Sequence, residues 1–226
     1  WVHAWDGMTP LEETMRALDD VVRAGKVLYV GISDAPAWVV SRANTLAELK
    51  GWSPFAALQI QYSLADRTPE RDLMPMAKAL DIAVTPWGVL AGGVLSGKYK
   101  SPKDRPAGAR YTKDEAWAKA VVTEGSVRIA EAVTQAAKET GRTASQVALA
   151  WVRQQPFGVI VPIVGAKTVA QLRDNLGCLD FTLGPDQLAR LDAASRIDLG
   201  FPHDFLVQAR SYIFGKTYPL IDNHRA

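Results

Sequence analysis

An α/β fold, part of a parallel (β/α)8 or TIM barrel, is what three features of this sequence predict. Short apolar runs without polar alternation recur between amphipathic helical stretches, as in strands covered on both faces. No Gly-x-Gly-x-x-Gly follows the first strand, so a doubly wound dinucleotide fold lacks its usual fingerprint. The residues ending successive strands are small, polar, aromatic or cationic, and a barrel gathers such ends on one face.

The chain opens on Trp1-Val2-His3-Ala4-Trp5-Asp6, which reads as a strand stump missing its natural start. Thr9-Pro10-Leu11-Glu12 predicts a helix start, with Thr9 as cap, Pro10 in first position and Glu12 completing a capping box. Leu11, Met15, Leu18 and Val22 supply its apolar face and Gly25 its stop. Residues 27–32 predict a strand buried on both sides that ends at Ser33-Asp34. A helix over about 36–49 closes at Gly51, and residues 57–61 form a strand with Gln59 and Gln61 on one side. Thr68-Pro69 repeats the helix start, with Leu73, Met76, Ala77 and Leu80 inward, and a strand over 82–86 follows.

That strand delivers the stretch Thr85–Tyr99, in which Trp87 precedes a glycine-rich loop ending at Lys98. A flat ring, backbone amides and a cation in one place suit a nucleotide, the ring against a heterocycle and the loop over phosphates. The bland alternative is a surface turn beside a core tryptophan. Residues 100–123 are polar, without period, and too long for an ordinary connection, which favours a lid or an irregular excursion. Helices are expected over about 125–140 and 143–154, the second opening on a Thr143/Gln146 capping box. A last strand over 159–161, a helix from Thr168 and another from Pro185 follow. The tail from about 197 reads as irregular but ordered, within one domain spanning 1–226.

Bulk properties narrow the function. A net charge of +2 gives no reason to expect nucleic acid or an acidic membrane surface, and no apolar run approaches a membrane span. One cysteine, Cys178, excludes an intrachain disulfide framework and fits a reducing compartment, so a cytoplasmic setting is expected. Cys178 itself reads as an inert buried thiol, and Trp38, Trp52, Trp117 and Trp151 as packing residues.

In a barrel the strand ends converge: His3 with Asp6, Ser33 with Asp34, Gln59 with Gln61, Trp87 with the glycine loop, and residues 162–167. Hydroxyl and amide can bind a carboxamide, the indole can stack on its ring, and Lys167 before a helix start can hold a phosphate. Taken singly, each has a plainer reading. His3 and Gln59 can be structural, Asp6 and Asp34 turn residues, Gln171 a cap, and Lys98 and Lys167 solvated lysines.

Val2–Asp6, Gly25-Lys26-Val27, Gly31-Ile32-Ser33, Gln59–Ser63, the 85–99 stretch, Pro162–Lys167, Asn175-Leu176, and Ile221-Asp222 with His224-Arg225 occur in this order. Together they make the whole chain resemble an aldo-keto reductase, in the branch that includes bacterial reductases and potassium-channel β-subunits. The resemblance implies a (β/α)8 barrel, here about strands 4 to 8, that uses NADPH to reduce a small-molecule aldehyde or ketone. His3 resembles the family's histidine that orients the substrate carbonyl. Ser33 and Gln59 match the positions holding the nicotinamide carboxamide, and Asp34 stands where many members have Asn. Trp87 resembles the aromatic stacked on the nicotinamide. Gly88, Leu90, Gly92, Ser96 and Lys98 fall in the loop along the pyrophosphate. Gly165, Lys167, Gln171 and Asn175 match the segment holding the 2′-phosphate and adenine. No metal site is implied.

About four and a half β/α units are present where a closed barrel needs eight. The family's catalytic tyrosine, lysine and aspartate precede the histidine strand, and none of Tyr29, Tyr62, Tyr99, Tyr111, Tyr212 or Tyr218 sits in the catalytic context. Two functions follow: a reductase whose missing strands come from further sequence or a partner chain, or a nucleotide-binding partial barrel impaired in catalysis, a subunit or a non-functional fragment. Exposed barrel edges further lead one to expect a homo-oligomer that covers them, or a poorly behaved monomer.

Overall fold

Parallel strands in the order β1-β2-β3-β4 form the sheet of the computed structural model, which describes residues 1–110 and 115–222. They are β1 (Val2–His3), β2 (Val30–Ser33), β3 (Phe55–Gln59) and β4 (Ala83–Val84). Residues 159–163 continue the sheet beyond β4. Val84 bridges Ile160 in parallel, the Val161 N–H donates to Val84 O at 2.8 Å, and the Ile163 N–H donates to Pro86 O at 2.9 Å. Helices α1 (Leu11–Arg23), α2 (Ala37–Lys50) and α3 (Leu73–Ala79) make the crossovers between strands. They are followed by α4 (Glu115–Val121), α5 (Glu124–Thr140), α6 (Ala144–Arg153), α7 (Val169–Leu176) and α8 (Pro185–Ala194). This is an open portion of a β/α barrel. It forms one compact unit, Trp1–Arg196; a second, Ile197–Ala226, carries α9 (His203–Phe214).

The core lies between sheet and helices: Ile32, Phe55, Leu58 and Val84 meet Met15, Val39, Val40, Met74 and Ala77. In α6, every residue from Val147 to Val152 is buried, as expected of a helix apolar all round. Of the two capping boxes the sequence predicts, the one at Thr143 is present, and a further one that was not predicted opens α5. Thr143 and Gln146 cap α6 reciprocally, and Thr123 with Ser126 caps α5.

Several elements differ from expectation. The second strand begins at Val30, not 27; Leu28 and Tyr29 are 83% and 82% exposed, because pairing with β3 starts only at Val30↔Phe55. Thr9 does not cap α1. Its amide and hydroxyl donate to Asp6, and Glu12 pairs with Arg42 on α2 instead. Thr68–Arg71 is a 3-10 turn, and α3 starts afresh at Leu73 with the Asp72 carboxylate capping it; Met74 and Ala77 face the core while Leu80 is exposed. The β3 ladder runs 55–59, and β4 is only two residues, though Thr85 and Trp87 continue its hydrogen bonds to Leu58 and Ile60. The stretch 100–123 contains α4, and the tail contains α9, where pattern reading saw no period. Trp151 is core, but Trp38 and Trp117 are exposed. Tyr111, His224 and Arg225 lie outside the described residues.

Candidate functional site

Three parallel strands set a row of polar side chains at one level. His3 pairs in register with Ser33, and Ser33 with Gln59, so all three project to the same side at the strands' C-terminal ends. One step further, Gln61 bridges Trp87. The Trp87 backbone is held on both sides: its N–H donates to Ile60 O at 2.8 Å, and its carbonyl accepts from the Tyr62 N–H at 3.2 Å. His3 is exposed, Gln59 and Trp87 are half-buried, and Ser33 is buried.

Asp34 ties this row together, in left-handed backbone at φ 51°, a region that Asp and Asn enter more readily than other non-glycine residues. One carboxylate oxygen accepts from the Ser33 hydroxyl at 2.8 Å and the other from the Trp87 indole N–H at 3.3 Å. Its carbonyl accepts from the Trp5 N–H, which joins β1's exit to the same corner. Asp6 plays no part in the cluster. It accepts from the Thr9 and Met8 amides and the Thr9 hydroxyl, which hold its carboxyl below the usual range, a turn-forming role.

Beyond Trp87 and Gly88, the loop coils through a 3-10 turn at Ala91–Ser96 with Leu90 at its start. Gly92 and Gly93 take φ of 62° and 96°, and Gly93 has a further reason to lack a side chain: a Cβ there would lie 2.8 Å from Lys98 Nζ. The Ser96 hydroxyl donates to Gly93 O at 2.7 Å, which stiffens the loop from within. Burial, then the nearby Lys167 ammonium, push the Lys98 amine below the ordinary lysine range. Among the described residues neither lysine has a carboxylate partner. Two mutually repelling cations beside glycine amides are a donor set suited to a phosphate-bearing ligand.

Residues 163–167 leave the sheet beside Pro86 and so return to this loop. Gly165 and Lys167 are exposed; the Lys167 Nζ donates to Gly108 O at 3.2 Å, and its backbone N–H donates to Gln171 Oε1 at 2.7 Å. Thr168 caps α7 by accepting from the Gln171 amide. Gln171 therefore does have a capping task, as its spacing suggests. Asn175 is buried, at 6% exposure, and is not brought to the exposed surface where Lys167 lies. Sequence reasoning missed Gly108 and the polar clamp at Tyr62, whose backbone N–H donates to the Trp87 carbonyl. In that clamp the Tyr62 hydroxyl donates to Glu70 at 2.6 Å, and Arg67 donates to Glu70, Asp192 and Ser195. Partners separated by 125 residues carry no local spacing signal.

A sequence profile for the aldo/keto reductase family matches residues 1–196. The chain is 36% identical over 207 residues to a probable aryl-alcohol dehydrogenase of Saccharomyces cerevisiae, covering 91% of this chain and 62% of that one. It is 34% identical to the norsolorinic acid reductase of Aspergillus flavus (92% and 50% covered) and to the aryl-alcohol dehydrogenase [NADP(+)] of Phanerodontia chrysosporium (90% and 53%). The chain thus spans about half to three-fifths of the length of these relatives. Among the described residues no helix is long and apolar enough to cross a membrane, and no cluster of His, Cys, Asp or Glu is placed to hold a metal. A profile match over this span, with the strand-end row in family order, makes the chain a member of the aldo/keto reductase family.

Proposed function

We propose that the protein is an NADP(H)-dependent oxidoreductase interconverting a small-molecule carbonyl and its alcohol. The observation that carries this reading is the convergence of His3, Ser33, Gln59 and Trp87 at one sheet end, with Lys98 and Lys167 on the loops beside it. The names of the relatives point to aryl alcohols and aryl aldehydes as the substrate class. When bound, the cofactor gives or takes the hydride. Ser33 and Gln59 would hold its carboxamide, Trp87 would support its ring, and Gly88, Leu90, Gly92, Ser96 and Lys98 would run along its pyrophosphate. Gly165, Lys167 and Gln171 would form the adenosine end, with Lys167 favouring a 2′-phosphate, while the buried Asn175 would support that segment from within. His3 would orient the substrate oxygen by a hydrogen bond.

The reading predicts carbonyl-dependent NADPH oxidation by the intact protein that His3→Ala or Trp87→Ala abolishes. No turnover across aldehydes, ketones and quinones would sink it. A second reading, nucleotide binding without turnover, is favoured by one observation: Tyr62 and Tyr99 are buried, and the Tyr62 hydroxyl is committed to Glu70 with its pKa pushed up by burial and by that bond. Neither phenol can hand a proton to a substrate, and such a donor is worth roughly 10²–10⁴-fold in rate. Tryptophan quenching by NADPH without turnover would select this reading; flat fluorescence up to millimolar NADPH would reject both. A cytoplasmic setting and self-association through the open sheet edges complete the proposal, on compositional and edge-strand grounds.

A further inference from the structure

Asp34 puts a negative charge into the strand-end row, and its geometry gives that charge a defined position. Its two oxygens are occupied by the Ser33 hydroxyl at 2.8 Å and the Trp87 indole N–H at 3.3 Å. Both donors are neutral, and among the described residues no cation pairs with Asp34, so the charge is hydrogen-bonded but not neutralised. Two consequences follow. The Ser33 proton is spent on Asp34, which leaves the serine oxygen as an acceptor only. Any ring lying on Trp87 also rests on an indole whose N–H edge is bonded to a carboxylate.

We infer that Asp34 sets the redox preference of the site, holding the oxidised cofactor more tightly relative to the reduced one than a neutral residue there would. This rests on the reading of Trp87 as the nicotinamide platform. The oxidised nicotinamide ring carries a positive charge and the reduced ring none, so an uncompensated carboxylate beside it attracts only the oxidised form. An amide at the same position offers hydrogen bonds without that bias. Asp34 is exposed, so solvent and salt screen the effect, and a change of about threefold to tenfold is expected rather than the much larger values of a dry site. The serine follows the same logic: as an acceptor it suits the amide N–H of a carboxamide in either redox state, leaving the discrimination to the charge.

Asp34→Asn tests this cleanly, because Asn tolerates left-handed backbone and has nearly the same shape. Dissociation constants for NADP+ and for NADPH are measured by calorimetry on the whole chain, at low and at high salt, for both proteins. The expected result is a rise of about threefold or more in the NADP+ constant of Asp34→Asn, with the NADPH constant changed less than twofold and the difference shrinking at high salt. An unchanged ratio, or equal weakening of both forms, would overturn the inference while leaving the cofactor site standing. Failure of the unsubstituted chain to bind either form would instead remove the cofactor reading, and this inference with it. Asp34→Glu provides a check on folding and charge together: it keeps the wild-type ratio if charge decides and loses it if shape does.

Discussion

Lys98 and Lys167 are the residues whose ordinary-looking side chains carry the most electrostatic information. Burial and the Lys167 charge hold the Lys98 amine below its usual range, so the folded chain binds that proton less readily than the unfolded chain. The sign follows: stability rises with pH in the window between the lowered value and 10.5, where only the unfolded chain keeps the proton. Lys167→Ala should raise the Lys98 pKa, measurable by NMR titration of the side-chain Cε resonance. Added NADP+ should raise it further, since an opposite charge favours the protonated amine. The same substitution should weaken NADP(H) by about tenfold while affecting NAD(H) less, if Lys167 meets a 2′-phosphate; equal losses for both cofactors would remove it from that role.

At the level of elements, two clamps join segments distant in the chain. Arg67 holds Glu70 through Nε and Nη2, at 2.8 and 2.9 Å, and reaches Asp192 and Ser195 near the end of α8, while its guanidinium lies 5.0 Å over the Trp151 ring. Tyr62, stacked on Trp151, donates to the same Glu70. Removing the cation strands two carboxylates in a mostly buried place. Arg67→Met should cost about 2 kcal/mol in denaturant unfolding, below the range for fully buried pairs because Asp192 is half-exposed. The second clamp is Arg190 of α8 on Glu139 of α5. Its hydrogen bonds, led by Arg190, hold the Glu139 carboxyl at about 2 against the ordinary 4.5. A depressed carboxyl contributes its stability fully above the unfolded value and loses it as pH falls toward the folded one. Tm of the wild type should therefore drop between about pH 5 and pH 3 by more than that of Glu139→Gln; parallel curves would show that the pair is inert.

For the whole molecule, the sheet among the described residues ends on two open edges, β1 and the extended 159–163 segment. Along the second edge Val159, Val161 and Ile163 alternate outward at 63%, 55% and 44% exposure. Open, apolar strand edges template pairing with another chain. Sedimentation of this chain should show concentration-dependent association, reduced by Val161→Lys, which places a charge on that edge. A stable monomer at every concentration would contradict this.

Much of the barrel portion was legible because it is written locally. Strand and helix alternate with clear periodicity, Thr143 with Gln146 forms a complete capping box, Thr168 caps α7 through its hydroxyl, and Gly51 ends α2 in the left-handed conformation it suggests. The order of strand ends likewise follows from chain order alone, since parallel β/α units leave little choice of neighbour. What only the tertiary structure decided depends on residues far apart. Thr9 had a better partner in Asp6 than in its own helix, Leu28 and Tyr29 found no neighbouring strand to cover them, and α4 and α9 showed no period that pattern reading could use. Asp34 shows the difference most clearly. Its identity departs from the family pattern in the sequence, but its role depends on a bond to Trp87, 53 residues away, which exists only because β2 and β4 flank β3. Hydrophobic period and capping are properties of neighbours in the chain; charge placement is a property of neighbours in space.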